Sequence, residues 1–174
     1  AIERLVLASS GALVLVALTD AWHTLGGWPA AGLALAAALG HGWRQARWRP
    51  LSTGSVPLLW SLHLAYGFLV PGFLLAAAYS LRLLPSPSLM VHCFTVGALS
   101  GLVLAMMARV SLGHSGRPLE VAAGMKLAFA ALALAAFLRV LPPLLGVWNH
   151  GLIYVAGGVF WCLGFGLFVW HYAA

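Results

Sequence analysis

A chain of 174 residues with nine basic and three acidic side chains, 63% hydrophobic and 7% charged, is too poor in charge for a water-soluble surface, which takes about 25% charged residues. The apolar runs recur to the last residue, which excludes one signal peptide followed by a soluble domain, so the bilayer is the solvent. The net charge of +6 sits mostly at the ends of apolar runs, so it reads as membrane topology and not as a nucleic-acid surface.

Six stretches approach the ~20 apolar residues that a helix needs to cross the hydrocarbon core: residues 4–23, 26–43, 56–82, 88–112, 119–140 and 145–172. None has the alternation of barrel strands. The expected class is all-α, a polytopic transmembrane bundle of six helices forming one domain over residues 1–174.

In chain order, helices one and two run into RWRPLSTGSVP (47–57), and helix two is rich in alanine. Helix three carries Trp60, His63 and Tyr66 at three-residue spacing, read as one face: an aromatic wall around an imidazole. LPSPS (84–88) leads into helix four, where Gly97 and Gly101 form a GxxxG that permits close helix packing. GHSGRP (113–118) ends helix four; Gly113 and Gly116 fold the turn and Pro118 suits the first turn of helix five. Lys126, about two turns into helix five, is expected to snorkel or to reach Glu120. LPPLLG (141–146) joins helices five and six. Cys93 and Cys162 read as small buried hydrophobes.

With six spans, both termini and the loops at 44–56 and 113–118 share a side that holds Arg4, Arg44, Arg47, Arg49 and Arg117, with Arg109 close by. The other side holds Arg82 and Arg139. The first side is therefore expected to be cytoplasmic.

The chemistry lies among seven histidines, because three carboxylates (Glu3, Asp20, Glu120) leave no room for paired-carboxylate work. Helix direction sorts them into two layers: His23, His92 and His150 near one surface, His41, His63, His114 and His171 near the other. At about 100° per residue, His92 and His114 differ by only about 40° in phase, and His150 and His171 by about 60°. Imidazole is a ligand for haem iron and copper, and bundle cores hold such cofactors between facing helices. His23, His41 and His171 are terminal and read as interface residues that snorkel or cap. His63, His92 and His150 lie further in and read as functional. Arg109 and Arg139 serve equally as interface anchors or as partners of carboxylates.

HCFTVGALSGLVLAMMARVSLGHSGRPLE (92–120) closely resembles the signature of the NnrS family, polytopic bacterial inner-membrane proteins associated with haem and copper and linked to nitric oxide metabolism. The resemblance rests on His92, Thr95-Val96-Gly97, Met106-Met107, Arg109 and the run from Leu112 to Leu119; the family more often has threonine where Ser115 stands. LLWSLHLAYGFL (58–69), with Trp60, His63 and Tyr66, is similar to the family's preceding helix, and the likeness spans roughly residues 45–172.

It implies haem, b-type, or copper, with His63, His92 and His114 as ligands and Arg109 and Arg117 as electrostatic partners. His150 joins this set on geometry alone, as the partner of His92. Relatives usually have about twice as many helices, so the chain is expected to be a C-terminal half or a shortened relative, partnered by a missing N-terminal half, a second copy or a redox protein. The expected function is haem or copper binding in nitric oxide metabolism or nitrosative stress, at the bacterial inner membrane. The alternatives are a transporter or channel with a histidine-lined path, and a non-catalytic membrane subunit of a redox complex. Whether the protein turns over a substrate is left open.

Overall fold

The computed structural model describes residues 2–18, 27–147 and 151–172. The described chain is helical and contains no strand. In order come α1 (Ile2–Leu18), α2 (Gly27–Arg47), a short 3-10 turn (Pro50–Thr53), α3 (Pro57–Gly67), α4 (Leu69–Ser80), α5 (Ser88–His92), a π-helical segment (Cys93–Leu99), α6 (Ser100–His114), α7 (Ala123–Leu144) and α8 (Gly151–Tyr172). Since α3 with α4, and α5 with the π segment and α6, are continuous, these form six helical rods. Pro57–Ser80, Ser88–His114, Ala123–Leu144 and Gly151–Tyr172 are long and apolar enough to cross a membrane.

The rods alternate in direction, and close approaches at glycines fix their register. A Cβ on Gly40 would meet Val6 at 3.0 Å, so the start of α1 lies against the end of α2. A Cβ on Gly97 would meet Phe68, with ring atoms from 2.5 Å, and one on Gly101 would meet Ala65 Cβ at 2.6 Å. The GxxxG is therefore the seat of helix four on helix three, as its small residues allow. One on Gly164 would lie 2.8 Å from Leu132, which pins α8 to α7. Three apolar clusters follow: α1, α2 and α4 around Ala34 and Ala76; α4, α5 and α7 around Cys93; α3, α6 and α7 around Leu104 and Met125. The outer face of α8 (Leu152, Val155, Val159, Trp170) is exposed, as suits a lipid-facing helix.

Two helices depart from regular geometry. Helix three breaks at Phe68, where the backbone N–H turns to Ala65 O at 3.1 Å. The cause is Pro71, which has no N–H for the carbonyl of Gly67 and crowds it. Helix four contains the π segment, where Ser100 N–H and its Oγ (2.9 Å) both reach Thr95 O five residues back. The extra residue in a π turn shifts helical phase by about 100°. His92 and His114 thus move from about 40° apart on one side to about 60° apart on the other, which keeps them on roughly one face of the helix.

The turns are also more regular than expected. After α6, Arg117 N–H donates to Leu112 O (3.1 Å) and Gly116 N–H to Gly113 O (3.3 Å), with Gly116 at φ 66°: a Schellman cap. Only Gly116 needs glycine's left-handed freedom; Gly113 is ordinary helix. α7 starts at Ala123, so Pro118 precedes it by five residues and does not initiate it. The same helix runs through Pro142 and Pro143 to Leu144, beyond the expected end at 140.

Candidate functional site

Polar side chains converge where α1, α2 and α3 meet. His41 is 7% exposed and has both ring nitrogens bonded, Nε2 to Ser10 Oγ at 2.9 Å and Nδ1 to Tyr66 Oη at 2.7 Å. Each hydroxyl can donate or accept, so either imidazole tautomer completes the chain. Phe73 stacks on the imidazole at 5.1 Å. The residue expected to be an interfacial histidine is thus a buried link between three helices, a correction that rests on partners 31 and 25 positions away in sequence.

One turn beyond His41 lies Arg44. Its guanidinium carbon stands 5.0 Å from the Trp48 ring centre and 5.9 Å from that of Tyr66. Nη2 is 3.4 Å from Glu3 Oε2, while Nε is buried without a hydrogen-bond partner among the described residues. Both rings lie within cation–π reach of the guanidinium.

Trp48 continues the cluster to His63, with ring centres 6.0 Å apart, and Gln45 Nε2 donates to the His63 backbone carbonyl at 2.8 Å. His63 is half-buried and opens on an apolar groove of about 270 Å³, lined by Gln45, Leu64, Gly67, Phe68, Pro71 and Phe137. The expected wall of Trp60, His63 and Tyr66 is only partly formed. Tyr66 and His63 share Trp48, but Trp60 packs edge-on against Phe129 of α7 at 6.1 Å. Each three-residue step falls about 60° short of a turn, so Trp60 and Tyr66 diverge by about 120°.

The remaining candidates are dispersed. His92, at the opposite end of the bundle, is half-buried and places Nδ1 2.6 Å from Ser88 O. A carbonyl only accepts, so Nδ1 carries the proton and Nε2 the lone pair. His114 and Arg109 are exposed on α6. Arg117 lines a cleft of about 310 Å³ with Glu120, His171 and Tyr172, so the turn's arginine faces His171 and not His114. His171 is half-buried, with Nδ1 2.8 Å from Leu167 O. Lys126 is exposed, and no ion pair joins it to Glu120 among the described residues. Arg139 lies over the Tyr154 ring at 4.9 Å. Cys93 is buried as expected, whereas Cys162 is exposed on α8, because that helix buries little more than Gly157 and Gly164. His23 and His150 lie outside the described residues. Among the described residues no three His, Cys, Asp or Glu side chains converge on one point.

Sequence reasoning therefore missed Arg44, Gln45 and Trp48. The signal available for them was helical spacing: Arg44 is three residues from His41 near the end of α2, and Trp48 is four beyond Arg44, just past that end.

No curated protein and no solved structure matches the chain. The family model described as NnrS protein matches residues 1–174, the first two helices included. The chain belongs to the NnrS family.

Proposed function

We propose that this is a haem-binding membrane protein of nitric oxide metabolism, with His63 as the residue that would hold a b-type haem. NnrS membership supports the association with nitric oxide, and the four long apolar helices support the membrane. One observation carries the ligand assignment: the His63 imidazole has no hydrogen-bond partner among the described residues and borders a groove walled by Leu64, Phe68, Pro71 and Phe137.

The donor chemistry fits. A haem draws one nitrogen from each axial side chain and otherwise needs an apolar slot, whereas a protein-only copper site needs several convergent ligands. The groove, about 270 Å³, is smaller than ordinary ligand sites, about 300–1,000 Å³. It takes part of a macrocycle, and a second surface from another polypeptide or a second copy covers the rest. When bound, haem supplies one-electron iron chemistry and a coordination position for nitric oxide. The chain's own residues orient it: Gln45 holds the His63 backbone through its carbonyl, and Trp48 packs beside the imidazole.

His92 favours a second reading, copper at the opposite end. Its Nδ1 is committed to a carbonyl and its Nε2 lone pair is presented, the tautomer that metal-bound histidines adopt. Additional ligands would have to come from residues beyond those described, His150 among them. Arg109, Arg117 and His114 carry less of this proposal than the resemblance gave them, because none of the three lines the groove beside His63.

The test is a pyridine haem assay and a reduced-minus-oxidised spectrum on protein expressed with ample haem, with iron and copper measured on the same sample. A b-type spectrum lost in His63→Ala and retained in His114→Ala is expected. Colourless, iron-free wild-type protein would sink the reading.

A further inference from the structure

A second cleft lies at the end of the bundle where the turn after α6 meets the start of α7 and the end of α8. Its volume is about 310 Å³, and Arg117, Glu120, His171 and Tyr172 line it beside Leu112 and Ala122. Arg117 and Glu120, three positions apart and both exposed, form no ion pair among the described residues. The Tyr172 ring packs on Phe168 with centres 5.0 Å apart, and its hydroxyl makes no hydrogen bond among the described residues. His171, held by its Nδ1–H on Leu167 O at 2.8 Å, forms a wall.

The cleft thus holds one unpaired positive charge, one unpaired negative charge and a free hydroxyl. An anion with no positive end repels Glu120, and a bare cation repels Arg117. A zwitterion satisfies both: a phosphate takes the two-pronged guanidinium of Arg117 and the Tyr172 hydroxyl, and an ammonium takes the Glu120 carboxylate. A carboxylate only accepts hydrogen bonds, so the ammonium must carry N–H groups, which a quaternary one lacks.

The place decides the source. The cleft sits at the ends of three helices long and apolar enough to cross a membrane, Ser88–His114, Ala123–Leu144 and Gly151–Tyr172. Beside it in sequence, Leu119, Val169 and Trp170 are exposed, the indole by 80%, as suits the band where a bilayer's headgroups begin. We infer that this cleft is a lipid site that takes the headgroup of a phospholipid ending in a primary ammonium, with the acyl chains outside it along α8. Its volume, about 310 Å³, reaches the lower bound of ordinary ligand sites, about 300–1,000 Å³, which suits a headgroup and not a whole lipid. The site shares no residue with the groove beside His63, so it stands independently of the haem reading.

The test uses delipidated, detergent-solubilised full chain and native mass spectrometry. The probes are dioleoyl phosphatidylethanolamine and the phosphatidylcholine and phosphatidylglycerol with the same chains. Wild type is expected to bind the ethanolamine lipid at least about tenfold more tightly than the choline lipid, as a charge-assisted hydrogen bond implies. Glu120→Gln should lose that preference and bind the glycerol lipid better than wild type does. Arg117→Gln should weaken all three by a similar factor and keep the preference for ethanolamine over choline. Both side chains are exposed, so the lipid-free variants should melt as wild type does. Equal wild-type affinity for the ethanolamine and choline lipids overturns the inference, and that comparison needs no variant. A preference that survives Glu120→Gln, or binding unchanged in Arg117→Gln, overturns it too, because the headgroup then sits elsewhere. A wild type that favours the glycerol lipid marks a simple anion site and overturns it. Displacement of the lipid by water-soluble glycerophosphoethanolamine at matching concentration gives the cleft to a free zwitterion and overturns the lipid assignment.

Discussion

His41 Nδ1 and the Tyr66 hydroxyl oxygen stand 2.7 Å apart across the contact between α2 and α3, and Ser10 of α1 closes the chain at 2.9 Å on the other nitrogen. Three rods are tied by one imidazole. His41→Ala leaves a cavity and two hydroxyls without their partner. An unsatisfied buried group costs about 1–3 kcal/mol, so thermal unfolding in detergent should drop clearly. Tyr66→Phe removes one bond and keeps the ring against Trp48, so its loss should be smaller, near the ~1 kcal/mol of a typical hydrogen bond. Equal melting temperatures for wild type and His41→Ala would contradict the tie.

Helix four seats on helix three through Gly97 and Gly101. A Cβ on Gly97 would fall 2.8 Å from Phe68 Cβ as well as against the ring, and one on Gly101 would meet Ala65 Cβ at 2.6 Å. Both obstacles sit next to backbone and have no rotamer by which to retreat. Gly97→Ala and Gly101→Ala are therefore expected to destabilise by about 1–3 kcal/mol, the usual cost of overpacking. That exceeds the gain of up to about 1 kcal/mol in helix propensity. Unfolding in mixed micelles checks the sign; a stabilised Gly101→Ala would refute the close crossing.

The helical rods were legible, four of them long and apolar enough to cross a membrane, because a membrane helix must satisfy its own backbone, so length and hydropathy mark it. The turn after α6 was legible because Gly116 at φ 66° is the residue a Schellman cap selects. Its chemistry was not: the proximity of Arg117 to His171 depends on how α8 returns beside α7, which no local pattern encodes. The same holds for Arg44 and Glu3, joined by the α1–α2 pairing. The π segment was hidden for a different reason. Its residues, Cys93 to Leu99, are ordinary for an apolar helix, and only the backbone bond from Ser100 back to Thr95 marks it.

Arg82 ends α4 with the same cap that Gly116 and Gly146 serve elsewhere: its N–H donates to Tyr79 O and that of Leu83 to Ala78 O, both at 2.9 Å, with Arg82 at φ 59°. A side chain there carries left-handed strain of roughly 1–2 kcal/mol. Glycine relieves it but gains freedom in the unfolded chain. Arg82→Gly should be net stabilising, by about 0.5–1 kcal/mol, and a lowered melting temperature would count against the left-handed cap.

Gly124 at the start of α7 sits under the His171 ring, and a Cβ there would fall against Cε1 and 2.6 Å from Nε2. Unlike Phe68 Cβ, this obstacle is the far end of a side chain. The imidazole can swing away by giving up its 2.8 Å bond to Leu167 O, a loss of about 0.5–1.5 kcal/mol. The alanine returns up to about 1 kcal/mol in helix propensity, less in a first turn. The two terms nearly cancel, so Gly124→Ala should melt within about 1 kcal/mol of wild type while its His171 becomes more accessible. Diethylpyrocarbonate modification, located by mass spectrometry, reads that exposure independently of stability. Faster modification of His171 with little change in melting temperature is the expected pair of results. A large destabilisation with unchanged reactivity would mean that the ring is locked in place and that α8 itself is what moves.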